Sequence, residues 1–260
     1  MSSIRDALAA GSFYVALQPV VDLNKREIFG HEALLRSRVP EFPDPPTILK
    51  AAIREGCLGE LARALRQMAV DAVSGTHLFL NMHPKEFDEG FLVRPDDAMF
   101  QHDRSIYLEI TEAVPLSHFR HCHGVLAEVR SRGVMLAVDD LGAGYSNLKY
   151  IADLSPEIVK LDRELITGLE KQPRLRKLVK SIVHLCEDMG ARVVAEGIET
   201  HGELRAAVDC GAHFFQGYLL ARPAFPPPAV DFATLEASEE FYRPDVTSTD
   251  QFSRDVVRKR

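Results

Sequence analysis

The sequence predicts an α/β fold of the (β/α)8-barrel type, and three observations support this. Short apolar runs rich in branched residues alternate with stretches of helical periodicity through most of the chain. Such alternation is typical of parallel strands joined by helical crossovers. Eight strands can be counted, the number that closes a barrel of this type. The alternative is an open, doubly wound sheet, but no Gly-x-Gly-x-x-Gly motif follows an early strand, which disfavours a dinucleotide-binding fold.

Each element is predicted from its local pattern. Residues 38–46 are rich in Pro and indicate a loop, whereas residues 47–73 carry apolar side chains at helical spacing. Gly56 and Gly59 are expected to divide this second stretch into two helices. The predicted strands are residues 13–21, 27–36, 77–81, 105–111, 134–138, 158–161, 192–195 and 213–219. The other predicted helices are residues 1–12, 116–132, 146–153, 173–189 and 201–210.

Proline residues mark the end of the predicted domain. Pro223 and the run Pro226–Pro228 follow the last strand. The sequence therefore predicts one barrel domain over residues 1–228 and a polar tail over residues 229–260. One candidate helix lies in this tail, around residues 232–242.

Composition limits the classes of protein to consider. Hydrophobic residues make up 46% of the 260 residues, which is enough for a large core. The net charge of −7, without a long Lys/Arg run, disfavours a protein that binds duplex nucleic acid. No apolar run reaches the roughly 18 residues of a membrane span. No signal peptide or Cys-x-x-Cys motif is found, so we expect a cytoplasmic protein with free thiols at Cys57, Cys122, Cys186 and Cys210.

Polar or ionisable residues stand at the ends of the predicted strands. Asp139 and Asp140 follow the apolar run 134–138 directly, and Gly142 and Gly144 then allow a tight turn. The other members of this series are Glu32, Asn81, Glu109, Lys160, Glu196 and Gln216. In parallel α/β folds the carboxyl ends of the strands meet on one face, where ligands bind. For any single member, a helix cap or a solvated charge at the rim is an equally good interpretation.

The five carboxylates of this series predict a metal site. Carboxylates that converge in a buried site repel one another, and bound cations relieve that repulsion. Two divalent ions together with Lys160 would balance the five negative charges. Oxygen ligands without His or Cys favour Mg²⁺ or Mn²⁺ over Zn²⁺. Two such ions roughly 3.5–4 Å apart are a known arrangement for phosphoester hydrolysis, in which Lys160 could orient the attacking water.

Eight short motifs follow one another in order along residues 10–224. They are Gln18-Pro19-Val20, Glu32-Ala33-Leu34, Asn81, Leu108–Glu112, Asp139–Leu148, Val159–Asp162, Ala195–Glu199 and Gln216-Gly217-Tyr218. Together they resemble the EAL-domain family, the cyclic-di-GMP phosphodiesterases of bacteria. The resemblance implies a modified TIM barrel whose first strand is antiparallel, and hydrolysis of one phosphodiester of cyclic-di-GMP to the linear dinucleotide pGpG.

The resemblance also implies a role for each matching residue. Lys160 would hold the attacking water, Glu196 would act as a general base, and Glu112 would anchor the loop 139–148. The implied ligands of the first metal ion are Glu32, Asn81, Glu109 and Asp139. Those of the second ion are Asp139, Asp140 and Glu196. The implied substrate contacts are Gln18, Leu34, Arg36 and Gln216, with the guanidinium fork of Arg36 suited to a phosphate.

Two positions depart from the Asp-Asp-Phe-Gly-Thr-Gly loop that is common in this family. Leu141 replaces Phe and keeps an apolar anchor, whereas Ala143 replaces Thr and removes a hydroxyl. We therefore expect the departure to affect the position of the loop and the rate, and to leave metal binding intact.

Two alternatives to an active phosphodiesterase follow from the resemblance. The first is a non-catalytic cyclic-di-GMP receptor that acts through a protein partner, and the second is a barrel that serves only as an interaction platform. Retention of all the metal-linked residues and of Lys160 favours the enzyme. We further expect a homodimer and a regulatory protein partner. The histidines at 118, 121 and 123 are interpreted as a solvated helix face rather than a metal site.

Overall fold

A computed structural model of the chain describes residues 3–89, 92–111, 116–143 and 148–237, and these form a closed eight-stranded barrel with helices outside it. Each strand pairs with the next, and β8 closes onto β1. The strands are β1 Phe13–Asp22, β2 Glu27–Ser37, β3 His77–Asn81, β4 Ile106–Thr111, β5 Met135–Leu141, β6 Ile158–Leu161, β7 Arg192–Ala195 and β8 Phe214–Phe215. The predicted barrel is therefore confirmed, and the open sheet was wrong.

The first strand runs against the other seven. β1 is antiparallel to β2 and to β8, whereas the pairs from β2 to β8 are all parallel. A tight turn at residues 23–26 joins β1 to β2, with Arg26 in the left-handed region at φ 57°. The two strands keep register from Phe13↔Ser37 to Val20↔Gly30, which places Gln18 opposite Glu32. The modified barrel with an antiparallel first strand is confirmed.

The predicted helices are present with shifted ends, and the short helix at residues 163–166 was not predicted. The helices are α1 Ile4–Ala9, α2 Pro45–Arg54, α3 Leu58–Ala72, α4 Glu86–Glu89, α5 Leu116–Ser131, α6 Lys149–Leu154, α7 Arg163–Ile166, α8 Pro173–Asp188, α9 His201–Asp209 and α10 Phe232–Ala237. Gly56 separates α2 from α3 at φ +62°, but Gly59 lies inside α3 and does not interrupt it. β5 continues through the Asp-Asp pair to Leu141, and β8 is only two residues long.

Aromatic side chains fill the half of the barrel that lies near the N-terminal ends of the parallel strands. Phe29 stacks on Phe214 with ring centroids 4.0 Å apart, and Phe79 stacks on Tyr107 at 4.7 Å. The guanidinium of Arg192 covers this end, 4.8 Å from the Phe214 ring and 5.0 Å from the Phe29 ring. The packed aromatic layer closes one pole of the barrel, so a ligand can approach the interior from the opposite pole.

Within the described part of the chain, no helix combines the length and the apolar composition needed to cross a membrane.

Candidate active site

A ring of polar side chains lies at the carboxyl ends of the parallel strands. Its members are Gln18 in β1, Glu32 in β2, Asn81 in β3, Glu109 in β4, Asp139 and Asp140 in β5, Lys160 in β6, Glu196 directly after β7 and Gln216 directly after β8. Gln18 belongs to this ring because the antiparallel β1 pairs it with Glu32. The structure therefore brings together the whole series of strand-end residues that the sequence singled out.

Lys160 stands at the centre of this ring and is 1% exposed. Its Nζ lies 2.5 Å from Glu109 Oε1 and 2.6 Å from Glu196 Oε1. The same nitrogen lies 3.2 Å from Glu32 Oε2 and 3.2 Å from Asp139 Oδ1. One ammonium thus faces four carboxylates, so the site carries a strong excess of negative charge when all of them are ionised.

This arrangement shifts pKa values in both directions. Burial alone would lower the pKa of Lys160, but the surrounding carboxylates hold it well above its usual value. Burial raises the pKa of Glu109 and of Glu196 well above the usual range, with Lys160 opposing the rise. Burial also acts on Glu32, but Lys160 and the amides of Gln216 and Asn81 outweigh it and lower the pKa. One lysine is therefore not enough to keep every carboxylate of the site ionised.

Several carboxylate oxygens of the site have no partner except Lys160. Glu109 Oε1, Asp139 Oδ1 and Glu196 Oε1 contact only its ammonium, and Glu109 Oε2 has no donor among the described residues. Buried oxygens of this kind are costly unless a cation binds them. One oxygen from each of Asp139, Asp140 and Glu196 also lies within 4.8 Å of the others. The donor set therefore fits hard divalent cations.

A backbone irregularity aims two consecutive aspartates at the same site. Neighbouring residues of a regular strand point to opposite faces. Here the β5–β6 register shifts between Val138 and Leu141, and Asp140 has φ 59°. A bulge of this type re-aims a side chain, which is common beside active sites. Burial, and then the Asp139 charge, raise the pKa of Asp140 to about 6, while burial, opposed by Lys160, raises that of Asp139.

Amide side chains hold Glu32 in place. Asn81 Nδ2 donates to Glu32 Oε1 at 3.1 Å, and Gln216 Nε2 donates to Glu32 Oε2 at 2.7 Å. Gln216 Nε2 also lies 3.2 Å from Gln18 Oε1, and Gln18 Nε2 donates to the carbonyl of Ala221 at 3.1 Å. Because each amide donates through its nitrogen, the Asn81 oxygen is left for another partner.

Two cavities flank the ring. The larger, of about 510 Å³, lies beside β2 and β3, with Arg36, Asn81 and Pro84 in its wall. The smaller, of about 210 Å³, lies over β7 and β8 and is lined by Gln18, Glu196, Gln216 and Tyr218 among others. Leu34 lines both cavities. The four residues predicted to contact substrate therefore border one or both of these spaces.

The sequence reasoning missed a buried ionic cluster beside the larger cavity. Arg66 on α3 is 3% exposed and pairs with Glu86 and Asp97. This cluster ties α3 to the segment between β3 and β4, which forms one wall of the cavity. An Arg on the apolar stripe of a predicted helix was the available signal, because a buried guanidinium requires carboxylate partners.

Some predicted features lie outside the described residues. They are Glu112, the loop residues 144–147, the side chains of Cys122 and of the histidines at 118, 121 and 123, and residues 238–260 of the predicted tail.

Comparison with known proteins assigns a family. The EAL domain family profile matches residues 1–223. A cyclic di-GMP phosphodiesterase of Pseudomonas aeruginosa is 32% identical over 227 residues, which is 82% of this chain and 39% of that protein. The cyclic di-GMP phosphodiesterase RocR of the same organism is 28% identical over 82% of this chain and 58% of its own length. The chain thus spans less than two thirds of these relatives.

Solved structures agree with the fold and include complexes with the dinucleotide. A calcium and cyclic di-GMP complex of BlrP1 from Klebsiella pneumoniae has a TM-score of 0.73 at 29% identity, over 82% of this chain and 56% of that one. A standalone EAL protein from Vibrio cholerae, bound to cyclic di-GMP, has a TM-score of 0.68 at 27% identity, over 85% of this chain and 97% of that one. A manganese and cyclic di-GMP complex of BlrP1 also matches, with a TM-score of 0.72 at 29% identity over 82% of this chain and 56% of that one.

Proposed function

The chain belongs to the EAL domain family, and from this premise we propose that it hydrolyses one phosphodiester of cyclic-di-GMP to the linear dinucleotide pGpG with the help of divalent metal ions. The observation that carries the proposal is the cluster of four buried carboxylates that share the single ammonium of Lys160. One positive charge does not balance four carboxylates, so the cluster is suited to bind divalent cations. Relatives named as cyclic di-GMP phosphodiesterases support the choice of substrate.

We assign two ions of Mg²⁺ or Mn²⁺ to the site. Glu32, Asn81, Glu109 and Asp139 would hold the first ion. Asp139, Asp140 and Glu196 would hold the second. When bound, such ions stabilise charge on the phosphate and lower the pKa of a water molecule. The excess of negative charge from Glu109, Asp139 and Glu196 around Lys160 supports this assignment.

The remaining chemistry falls to the chain's own side chains. Lys160 stays protonated because carboxylates surround it, so its Nζ can donate to the oxygen of the attacking water and fix its direction. Glu196, whose Oε1 lies 2.6 Å from that nitrogen, is placed to accept a proton from the water as a general base. Glu112 is assigned the role of anchoring the loop after β5.

The two cavities suit the two bases of a cyclic dinucleotide. Leu34 lines both cavities and would lie beneath the sugar–phosphate ring, with a base directed to each side. Arg36 borders the larger cavity, where its guanidinium can meet a phosphate. Gln18 and Gln216 border the smaller one, beside the half-exposed ring of Tyr218.

We infer that the barrel domain spans residues 1–228 and that residues 229–260 form a tail. Leu17 and Ala224 exchange two backbone hydrogen bonds, which supports counting the segment after β8 with the barrel. Phe232 packs against the core, so the tail begins on the barrel surface. The buried free thiols of Cys186 and Cys210 support a cytoplasmic location.

We infer a homodimer, and a regulatory protein partner that binds elsewhere on the surface. α8 and its C-cap residue expose Leu178, Leu185 and Met189 at 50%, 36% and 40%, and their spacing places them on one side of the helix. An exposed apolar stripe of this type is typical of a self-association surface.

A direct assay distinguishes the enzyme from a non-catalytic receptor. The purified full chain is incubated with cyclic-di-GMP and Mg²⁺ or Mn²⁺, and the products are separated by chromatography. Conversion to pGpG supports the proposal. Binding of intact cyclic-di-GMP without conversion in either metal would identify a receptor instead.

A further inference from the structure

Glu203 ties together two loops of the catalytic end. It lies in the first turn of α9 and is 6% exposed. Its Oε1 accepts the backbone N–H of Gly168 at 2.9 Å. Its Oε2 accepts the backbone N–H of Glu199 at 2.9 Å and that of Thr200 at 3.0 Å. One buried carboxylate therefore receives three backbone donors from outside its own helix.

Helix capping accounts for only part of this pattern. In a capping box the N-cap side chain accepts the N–H of the third helical residue, and that residue's side chain returns to the N-cap N–H. Thr200 and Glu203 make this exchange. The contacts with Glu199 and Gly168 are additional. They join the loop that follows β7 to the turn that follows α7, and neither belongs to α9.

The loop held in this way is the one that carries Glu196. Gly197 has φ +66°, and a Cβ there would lie 2.3 Å from Arg163 Cβ. Ile198 donates its N–H to the carbonyl of Gln216 at 3.1 Å, and its carbonyl accepts the N–H of Leu219 at 3.0 Å. Arg163 and the residues after β8 thus fix the middle of the loop. Glu203 fixes its far end, three residues beyond Glu196.

We propose that Glu203 is a positioning residue for Glu196, holding the loop 196–200 so that the Glu196 carboxylate faces the metal site and Lys160. The proposal deepens the proposed phosphodiesterase function and rests on it. Without the Glu203 carboxylate, the N–H groups of Gly168 and Glu199 lose a buried acceptor, and the loop is free to take other backbone angles. A small displacement of a residue that acts on the attacking water lowers the rate.

Two substitutions and one matched control separate positioning from simple stabilisation. Glu203→Ala removes all three acceptor contacts. Glu203→Gln keeps one acceptor oxygen and replaces the other with an NH₂ group, which cannot accept a hydrogen bond. It therefore removes the contacts of only one of the two carboxylate oxygens. Thr200→Val, the control, removes the N-cap hydroxyl of the same helix but leaves both backbone contacts of the Glu203 carboxylate with the loop. All three variants are assayed as full chains, well below their melting temperatures.

For Glu203→Ala we expect a fall in kcat of about tenfold or more with little change in KM for cyclic-di-GMP. We also expect weaker Mn²⁺ binding by calorimetry and faster hydrogen exchange at the Gly168 and Glu199 amides. Glu203→Gln should lie between Glu203→Ala and the wild type. Thr200→Val should lower the melting temperature and leave kcat, KM and Mn²⁺ affinity unchanged.

The proposal is overturned if Glu203→Ala behaves like Thr200→Val, with lower stability but wild-type kinetics and Mn²⁺ affinity. Should the wild-type chain fail to hydrolyse cyclic-di-GMP, the proposed function is wrong, and Mn²⁺ affinity then decides the role of Glu203 by itself. If Glu203→Ala then binds Mn²⁺ more weakly than the wild type and Thr200→Val does not, positioning of Glu196 is still supported. If all three variants bind Mn²⁺ as tightly as the wild type, it is contradicted.

Discussion

Lys160 and Arg66 are both buried cations surrounded by carboxylates, and they differ in how those carboxylates are satisfied. Arg66 Nε and Nη2 donate to Asp97, and Nη1 donates to Glu86 at 2.7 Å. The second oxygen of Glu86 accepts the His83 N–H at 2.9 Å, and Asp97 Oδ1 accepts the Met99 N–H at 3.1 Å. Every carboxylate oxygen of the Arg66 cluster therefore has a donor.

The Lys160 site has more carboxylates and fewer donors. A compact ammonium has three N–H bonds and meets four carboxylates, whereas the planar guanidinium of Arg66 has five N–H bonds for two. With three N–H bonds for four carboxylates, Lys160 cannot satisfy all of their oxygens. A buried charge cluster whose carboxylates all have hydrogen-bond donors stabilises the fold. A cluster with too few donors for its carboxylates is able to bind a cation.

The sharpest test of this contrast is Glu32→Ala. The variant removes a carboxylate that we assign to the first metal ion, so hydrolysis should fall below detection, a loss of roughly 10⁴-fold or more. Product formation is measured at saturating Mn²⁺. Near wild-type turnover there would show that Glu32 is not a metal ligand.

Lys160→Ala should have the next largest effect. We expect kcat to fall by about 10²–10⁴-fold while cyclic-di-GMP binding persists, because a group that directs the attacking water acts mainly in the transition state. Binding is followed by calorimetry in Ca²⁺ and turnover in Mn²⁺. A loss of affinity with unchanged kcat would instead make Lys160 a substrate anchor.

Arg66→Met should lower the stability of the fold, because the guanidinium holds the fully bonded cluster together. Without the guanidinium, Glu86 and Asp97 are buried charges with no cation, and the free energy of unfolding should fall by about 3–5 kcal/mol. Urea unfolding measures this change. Adding Glu86→Leu and Asp97→Asn should restore part of the loss. If Arg66→Met were as stable as the wild type, the Arg66 cluster would not stabilise the fold.

Metal ions should stabilise the fold by binding at the Lys160 site and not at the Arg66 cluster. Mn²⁺ at about 100 times its dissociation constant should raise the free energy of unfolding by roughly 2.7 kcal/mol. Glu32→Ala should lose most of this increment, while Glu86→Gln, matched in burial, should keep it. Equal increments in both variants would place the bound ion elsewhere.

The smallest expected effect concerns the loop after β5. Ala143→Thr restores a hydroxyl beside the Asp-Asp pair and should lower the Mg²⁺ concentration for half-maximal rate by about twofold, equivalent to roughly 0.4 kcal/mol. Glu112→Ala should raise it, because the loop would lose its assigned anchor. Rate is measured against Mg²⁺ for both variants. Identical curves for the two variants and the wild type would mean that another contact holds the loop.

The sequence was sufficient for the barrel and for the ring because both follow from local pattern. A buried strand that ends in a polar residue delivers that residue to a common face, and this held from Glu32 to Gln216. The aim of Asp140 could not be predicted, because it depends on a register shift against β6 and on a positive φ. The carboxylate partners of Arg66 and the contact of Glu203 with Gly168 could not be predicted either, because these residues are distant in sequence.

The antiparallel direction of β1 determines at which pole of the barrel the N-terminal helix α1 lies. In a barrel made only of parallel strands, the first strand starts at the pole opposite the active site. Here Phe13, the first residue of β1, pairs with Ser37 at the end of β2, so α1 joins the barrel at the rim of the candidate active site. A displacement of α1 would therefore reach Gln18 along a single strand, without crossing the aromatic layer.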